Sequence, residues 1–441
     1  MALKELVAGL YKEQNKVQNL LSSLGFALRS FKNVDQVLEL APLIASRATG
    51  ANGGFLLLFD ADGLIRSDIN YGHNLDKFSK VRQALKKVIR QANLAISNNK
   101  IVEPEISTNI DSILKQSLNQ FTRLYGTPIL LDNVEKGRIY VFSNHAEYSW
   151  TQTRRKLLQL VADQAAVAIS NHELSLNLRD RLRQDKEIEI ASQIQRRLLP
   201  THYPSVKGLK IAANSNSAHR VGGDYYDFIP INYDLHPTDN DEINSNVPLG
   251  IVIGDVMGKG ISAGLIMTMT RGMLRAEVLN RHTPAKILEH LNQVMYADLD
   301  SANRFVTLFY SEFEPVTKTL RYSNAAHNPP LLWRSSSESL LRLDTAGTVI
   351  GLASNSQYEN AQIQLISGDT LLYYTDGITD AVNQQEKRFE EGGLIEILEK
   401  SCRQKKQPQE ILDNLLEEMN KFIGPNNEDK DDMTVVVIQI E

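Results

Sequence analysis

The stretch LGIVIGDVMGKGISAGLIMTMTRGMLRAEV, residues 249–278, decides how the C-terminal half of this chain folds. Leu249–Ile253 is a short unbroken apolar run, the pattern of a buried strand. It ends in Gly254-Asp255, and Gly258 and Gly260 follow before a helix over about Ile261 to Leu279. An aspartate just past a buried strand is costly unless it is hydrogen-bonded, paired or metal-bound. Glycines placed after it give the backbone freedom for a tight turn.

Three more aspartates stand at the ends of elements. Asp224 follows the pair Gly222-Gly223 and precedes a strand; Asp376 ends TLLYYTD (370–376) and precedes Gly377; Asp431 precedes Asp432-Met433-Thr434 and the final strand VVVIQI. Each alone is an ordinary turn or cap residue. Together they form a set of oxygen ligands, which favours hard cations such as Mg²⁺ or Mn²⁺, and no His/Cys cluster points to zinc. Two such ions can activate a water and neutralise a phosphoryl group during in-line attack, with no protein nucleophile. Thiol-based phosphatase chemistry is excluded, since it needs Arg six residues after Cys402 and that position is Pro408. The segment Gly254–Gly260 resembles a nucleotide-binding phosphate loop but has three residues between its first glycines where four are required. Gly260 also replaces the Ser/Thr that would meet Mg²⁺.

Working outward, 441 residues imply two or three domains. The N-terminal helix (1–23) has Leu3, Leu6, Val7, Leu10, Val17, Leu20 and Leu21 three and four apart. Residues 24–173 alternate helix and strand: a helix from Val34 to Thr49, strands at Phe55–Phe59 and Leu64–Asn70, and helices near 77–97 and 108–120. A hairpin around Asp132-Asn133 and a helix from Thr151 complete it. Residues 174–200 run without Gly or Pro until Pro200, with Leu174, Leu178, Leu182, Ile188, Ala191, Ile194 and Leu198 at a spacing suited to a parallel coiled coil, hence a homodimer. Residues 201–441 form the last domain, interrupted by a polar loop from Asn232 to about Asn246. A net charge of -5 argues against nucleic acid as the default partner. The charged N-terminus is not a signal peptide, no apolar run approaches a membrane span, and one cysteine fits a reducing compartment, so the expected location is cytoplasmic.

Two resemblances add to this reading. DQVLELAPLIASRATGANGGFLLLFDADG (35–63) and TPILLDNVEKGRIYVFSNHAEYSWTQTRRKLLQLVADQAAVAISNHEL (127–174) are similar to the opening and close of a GAF domain. That implies an α/β sensor or dimerisation module with a possible small-molecule ligand. Covalent bilin attachment is excluded because the only cysteine lies far downstream. EIEIASQIQRRLLP, VGGDYYDF, IGDVMGKGISAGLIM, NAAHNPPLLW, YYTDGITDA and DDMTVVVI occur in the order found in the metal-dependent type 2C (PPM) serine/threonine phosphatases, in the bacterial branch of sporulation stage II E and the sigma-factor regulators.

The second resemblance implies an α-β-β-α sandwich over 201–441 and an overall α+β chain. It implies two Mn²⁺ or Mg²⁺ ions: Asp255 bridging them, the Val256 carbonyl on one, Asp376 and Asp431 (in preference to Asp432) on the first, and Asp224 acting directly or through water. Asp255 and Asp224 are the catalytic candidates. The eukaryotic enzymes carry a His two residues after the bridging Asp where this chain has Met257, which leaves the general acid open; His327 is more economically a turn-ordering residue. The implied substrate is a phosphoprotein, such as a STAS-type anti-sigma-factor antagonist, under control of the N-terminal half. The competing expectation is a non-catalytic GAF-containing scaffold that binds a phosphoprotein.

Overall fold

The computed structural model describes residue 4 and residues 34–60, 64–72, 75–97, 105–118, 122–231, 247–425 and 431–441. It divides into two compact units, Met1–Leu182 and Arg183–Glu441. Apart from Lys4, the helix expected over 1–23 lies outside the described residues, as does the polar loop 232–246.

In the first unit the elements run α1 (Val34–Thr49), β1 (Gly53–Phe59), β2 (Ile65–Gly72), α2 (Leu75–Ser97), α3 (Glu105–Ser117), β3 (Arg123–Leu131), β4 (Val134–Ser143) and α4 (Gln152–Leu198). The strands form one antiparallel sheet in the order β2-β1-β4-β3. Alternation along β1 and β4 sends side chains to opposite faces. Leu56, Ile139 and Val141 pack with residues of α1 and α4, whereas Phe55, Leu57, Tyr140 and Phe142 pack with residues of α2 and α3. The β3–β4 hairpin closes on Asp132 and Asn133, both at positive φ (49° and 64°), as a two-residue turn matched to strand twist requires. Helix α4 is unbroken for 47 residues, and the boundary between the units falls inside it.

The second unit continues with β5 (Leu209–Asn216), β6 (Tyr225–Pro230), β7 (Leu249–Val256), α5 (Ile261–Val278), α6 (Pro284–Ser301), β8 (Val306–Glu314), β9 (Thr319–Ala325), β10 (Leu331–Arg334), β11 (Ser339–Arg342), β12 (Ala361–Gln364) and β13 (Thr370–Tyr374). The single turn α7 (Asp376–Thr379), α8 (Glu390–Arg403), α9 (Pro408–Ile423) and β14 (Met433–Ile440) follow. Two five-stranded antiparallel sheets result, β11-β10-β13-β14-β5 and β12-β9-β8-β7-β6.

The buried strand read from Leu249–Ile253 shows why helices cover both outer faces. Ile251 and Ile253 of β7 meet Tyr373, Val436 and Ile438 of the other sheet in a central core. Val252 and Val256 turn outward onto Met267 and Leu274 of α5 and Leu288 and Leu291 of α6. On the opposite side Leu372, Tyr374, Val435 and Val437 pack beneath Leu394, Leu398, Leu412 and Leu415 of α8 and α9. The four layers are helix, sheet, sheet, helix, and the fold of the chain as a whole is mixed α+β.

Candidate metal centre

The four aspartates lie at strand ends contributed by both sheets. Asp224 precedes β6 and Asp255 ends β7, with Tyr225 paired to Gly254. Asp376 follows β13, and Asp431 precedes β14, with Tyr374 paired to Val435. A backbone bond from Thr375 N to Thr434 O (3.1 Å) continues that ladder to the site.

Asp224 is 4% exposed. Its Oδ2 accepts from the hydroxyls of Thr375 (2.9 Å) and Thr434 (2.6 Å), and Thr434 N in turn donates to Thr375 Oγ1 (2.9 Å). Its Oδ1 is buried and has no hydrogen-bond partner among the described residues. Gly222-Gly223 permits a close approach that any side chain would prevent. A Cβ on Gly223 would lie 2.8 Å from the Val256 carbonyl oxygen and 3.0 Å from Asp255 Oδ1. Asp432 fastens the same loop, its carboxylate accepting from Ala218 N (2.7 Å) and Gly223 N (2.6 Å). With both oxygens so engaged, Asp432 orders backbone. Its neighbour Asp431 is half exposed, and Oδ1 lies 3.3 Å from Lys259 Nζ.

Crowding of like charge dominates the electrostatics. Burial, followed by repulsion from Asp376, Asp431 and Asp432, pushes the Asp255 carboxyl up to about 7. Burial and then Asp255 hold Asp224 well above the ordinary carboxylate range, against the opposing hydrogen bond from Thr434. Asp376 is raised by burial and by Asp431. A set of carboxylates that cannot all ionise unaided, one with an orphaned buried oxygen, fits divalent cations. Among the described residues, Glu277, His282 and His290 alone bring three donor atoms within 4.8 Å of one another. No three carboxylate oxygens of the aspartates come that close, and the loose acidic bowl they form is compatible with ions that keep several waters.

Other candidates fall into place. His327 is buried; the Tyr374 carbonyl can only accept, so Nε2 carries the proton (3.2 Å) and Nδ1 accepts from Thr307 Oγ1 (2.9 Å). Burial lowers its pKa to about 4, so it is a neutral ordering residue at neutral pH. Arg220 donates to the carbonyl of Asp185 (3.1 Å). Met257 is half exposed, and its carbonyl accepts from Arg304 Nη1 (2.9 Å). Gly258 and Gly260 adopt positive φ (100° and 76°) in the turn before α5. The sequence reading missed Thr375 and Thr434, whose signal is a hydroxyl residue beside an aspartate at each of two strand ends. It also missed Gln195, whose partner lies 27 residues away.

The chain matches the family model described as Stage II sporulation protein E (SpoIIE) over residues 246–441. It is 29% identical over 255 residues to "Phosphoserine phosphatase RsbU" of Bacillus subtilis (strain 168), covering 57% of this chain and 70% of that protein. The chain is a protein serine/threonine phosphatase, its similarity to the SpoIIE family lying in residues 246–441. "Phosphoserine phosphatase RsbP" of Bacillus subtilis (strain 168) is 26% identical over 204 residues, 45% of this chain and 47% of that protein. "Protein IcfG" of Synechocystis sp. is 28% identical over 278 residues, 57% of this chain and 41% of its own length. Among solved structures, the SiaA-PP2C domain of Pseudomonas aeruginosa aligns with a TM-score of 0.49 at 20% identity, covering 59% of this chain and 99% of that one. No helix among the described residues is long and apolar enough to cross a membrane.

Proposed function

We propose that the full chain is a signal-regulated phosphatase that hydrolyses phosphoserine or phosphothreonine on a small bacterial regulatory protein, with STAS-type anti-sigma-factor antagonists as the expected class. The observation that carries this reading is the bowl of four crowded aspartates with Asp224 Oδ1 buried and unpartnered. Asp224, Asp255, Asp376, Asp431 and the Val256 carbonyl would hold two Mn²⁺ or Mg²⁺ ions. Such ions supply Lewis acidity and an activated water for in-line attack at phosphorus.

The chain's own residues prepare that chemistry. Thr375 and Thr434 hold Oδ2 of the Asp224 carboxylate and leave Oδ1 free of hydrogen bonds among the described residues. Asp432 and Gln195 grip the Gly222-Gly223 backbone from two sides, which sets the approach of Gly223 to the Val256 carbonyl. His327 orders the loop after β9 through Thr307 and Asn324.

The N-terminal unit is proposed to be a GAF-type sensor, a reading supported by helices on both faces of its antiparallel sheet. Leu174, Leu178 and Leu182 are exposed along one side of α4, which supports a parallel coiled coil and a homodimer. The test is Mn²⁺-dependent release of phosphate from a phosphoserine-bearing STAS protein by the full chain, with Asp255→Asn abolishing turnover. Activity that survives Asp255→Asn or excess chelator would defeat the proposal. A monomer in sedimentation at assay concentration would remove the dimer.

A further inference from the structure

A second cluster of ligating side chains lies at the far end of α5, at the other terminus of the helix that begins beside Asp255. Glu277 sits in its last turn, His282 in the connection, and His290 in the second turn of α6. Arg281 takes positive φ (56°), and Asn280 N and Arg281 N bond back to Glu277 O and Val278 O at 2.9 and 3.2 Å. This tight reversal brings His282 back over Glu277. The Nδ1 atoms of His282 and His290 lie 2.8 and 2.5 Å from the same oxygen, Glu277 Oε1, and the two rings meet edge to face with centroids 4.9 Å apart. The other carboxylate oxygen, Oε2, accepts from Asn280 Nδ2 at 2.8 Å.

We propose that Glu277, His282 and His290 form a binding site for a borderline divalent transition metal, Zn²⁺ foremost, distinct from the aspartate bowl. Two imidazole nitrogens and one carboxylate oxygen converge, which is the donor set of many three-ligand zinc sites. The aspartate bowl offers oxygen only and selects harder ions, so the two sites differ in the metal each prefers. Tetrahedral bonds of about 2.0–2.1 Å place ligand atoms roughly 3.3 Å apart. The donor atoms therefore separate by under about 1 Å to admit the ion, a motion that small rotations of the His282 and His290 rings, both partly exposed, supply. On metal binding each imidazole presents an unprotonated Nδ1 to the ion and carries its single proton on Nε2; the Nδ1 proton that faces Glu277 in the metal-free site moves to Nε2 by exchange with solvent, or leaves to solvent where Nε2 already holds one. Asn280 orients the carboxylate from outside, as the partners of metal ligands commonly do. His282 also lines a cavity of about 500 Å³ together with Arg281, Thr283 and Arg321, so its ring is reachable from that side.

The test uses the full chain stripped with chelator and titrated with Zn²⁺ in the presence of excess Mg²⁺, against a chromophoric competitor. One tight equivalent is expected in the wild type and in Asp255→Asn. That equivalent is lost in His282→Gln and in His290→Gln, and Asn280→Ala weakens it by about 10–100-fold. Co²⁺ substitution should give the intense visible absorption of a four-coordinate site in the wild type and not in His282→Gln. His282 is half exposed, so its replacement leaves the metal-free melting temperature unchanged and serves as the folded control. Equal Zn²⁺ binding by the wild type and His282→Gln, or an equivalent that disappears with Asp255→Asn instead, would overturn the assignment.

Discussion

Replacing Gln195 with alanine strips two hydrogen bonds from the loop that carries Asp224. The Gln195 amide clasps Gly222: Oε1 accepts from Gly222 N at 3.0 Å, and Nε2 donates to Gly222 O at 2.7 Å. Gln195 is 7% exposed and lies in the last turn of α4. Its surroundings are close: a Cβ on Gly264 of α5 would come within 3.2 Å of Nε2 and 2.3 Å of Val221 Cγ1. The end of α4, the glycine pair and the first turn of α5 therefore move together or not at all. A buried donor or acceptor left unsatisfied costs about 1–3 kcal/mol. With two such groups on Gly222, Gln195→Ala should destabilise the phosphatase unit by about 2–6 kcal/mol, at the lower end if water enters the vacated space. Gln195→Met keeps the volume and removes only the hydrogen bonds, so the pair of variants separates packing from polar anchoring. Because Asp432 then holds the loop alone, half-saturation by Mn²⁺ should shift to higher concentration in both. Urea denaturation and a Mn²⁺ titration of phosphatase activity check this. If both variants stay within about 0.5 kcal/mol of the wild type and keep its Mn²⁺ half-saturation, Gln195 does not position the site.

Gly223→Ala places a methyl group 2.8 Å from the Val256 carbonyl oxygen; calorimetry should show weaker Mn²⁺ binding, and unchanged affinity would mean that this approach is not needed. Without metal, Asp255 binds its proton more tightly in the folded state, with a pKa of about 7 against an ordinary 3.8. Metal-free stability should therefore fall as pH rises from about 4 to about 7, while divalent affinity climbs over the same window as the proton is displaced; melting curves in chelator that rise across it would contradict this. Arg275 donates twice at 2.7 Å to Asp227, which is 1% exposed. Arg275→Met should cost about 1–3 kcal/mol, less than the loss of a sole partner, because Arg271 (3.8 Å) and the Tyr225 hydroxyl (2.9 Å) still face that carboxylate, and Asp227→Asn/Arg275→Met should recover part of it in the same urea assay.

How much of this was legible in the sequence depends on the distance over which each interaction acts. Strand β7, the turn glycines and helix α5 follow from an apolar run, two glycines and a helical repeat within 30 residues, and the structure places them at Leu249–Val256 and Ile261–Val278. The hairpin at Asp132-Asn133 is equally local. That the aspartates belong together was suggested by their shared position at strand ends, but their coupling is tertiary: Asp224 is locked by Thr434, 210 residues away. No periodicity encodes such a bond. Asp431 and Asp432 illustrate the limit further, since they are chemically identical and adjacent. The backbone amides of Ala218 and Gly223, brought to Asp432 by the pairing of β5 with β14, and Lys259 beside Asp431 give the two carboxylates different surroundings.

The same reasoning explains why no zinc-type cluster was seen in the sequence. Glu277, His282 and His290 have spacings of five and eight residues, which match no single helical face. They meet because a left-handed residue, Arg281, reverses the chain between two helices. A ligand set split across such a reversal becomes visible only when the turn does. Its position at the end of α5 opposite the Asp255 turn would give one helix, on the proposed assignments, two termini with different cation preferences, hard at the first and borderline at the last. Occupancy of the second would stiffen the α5–α6 corner without contributing an atom to the bowl, so zinc should raise the melting temperature of the wild type even in Asp255→Asn.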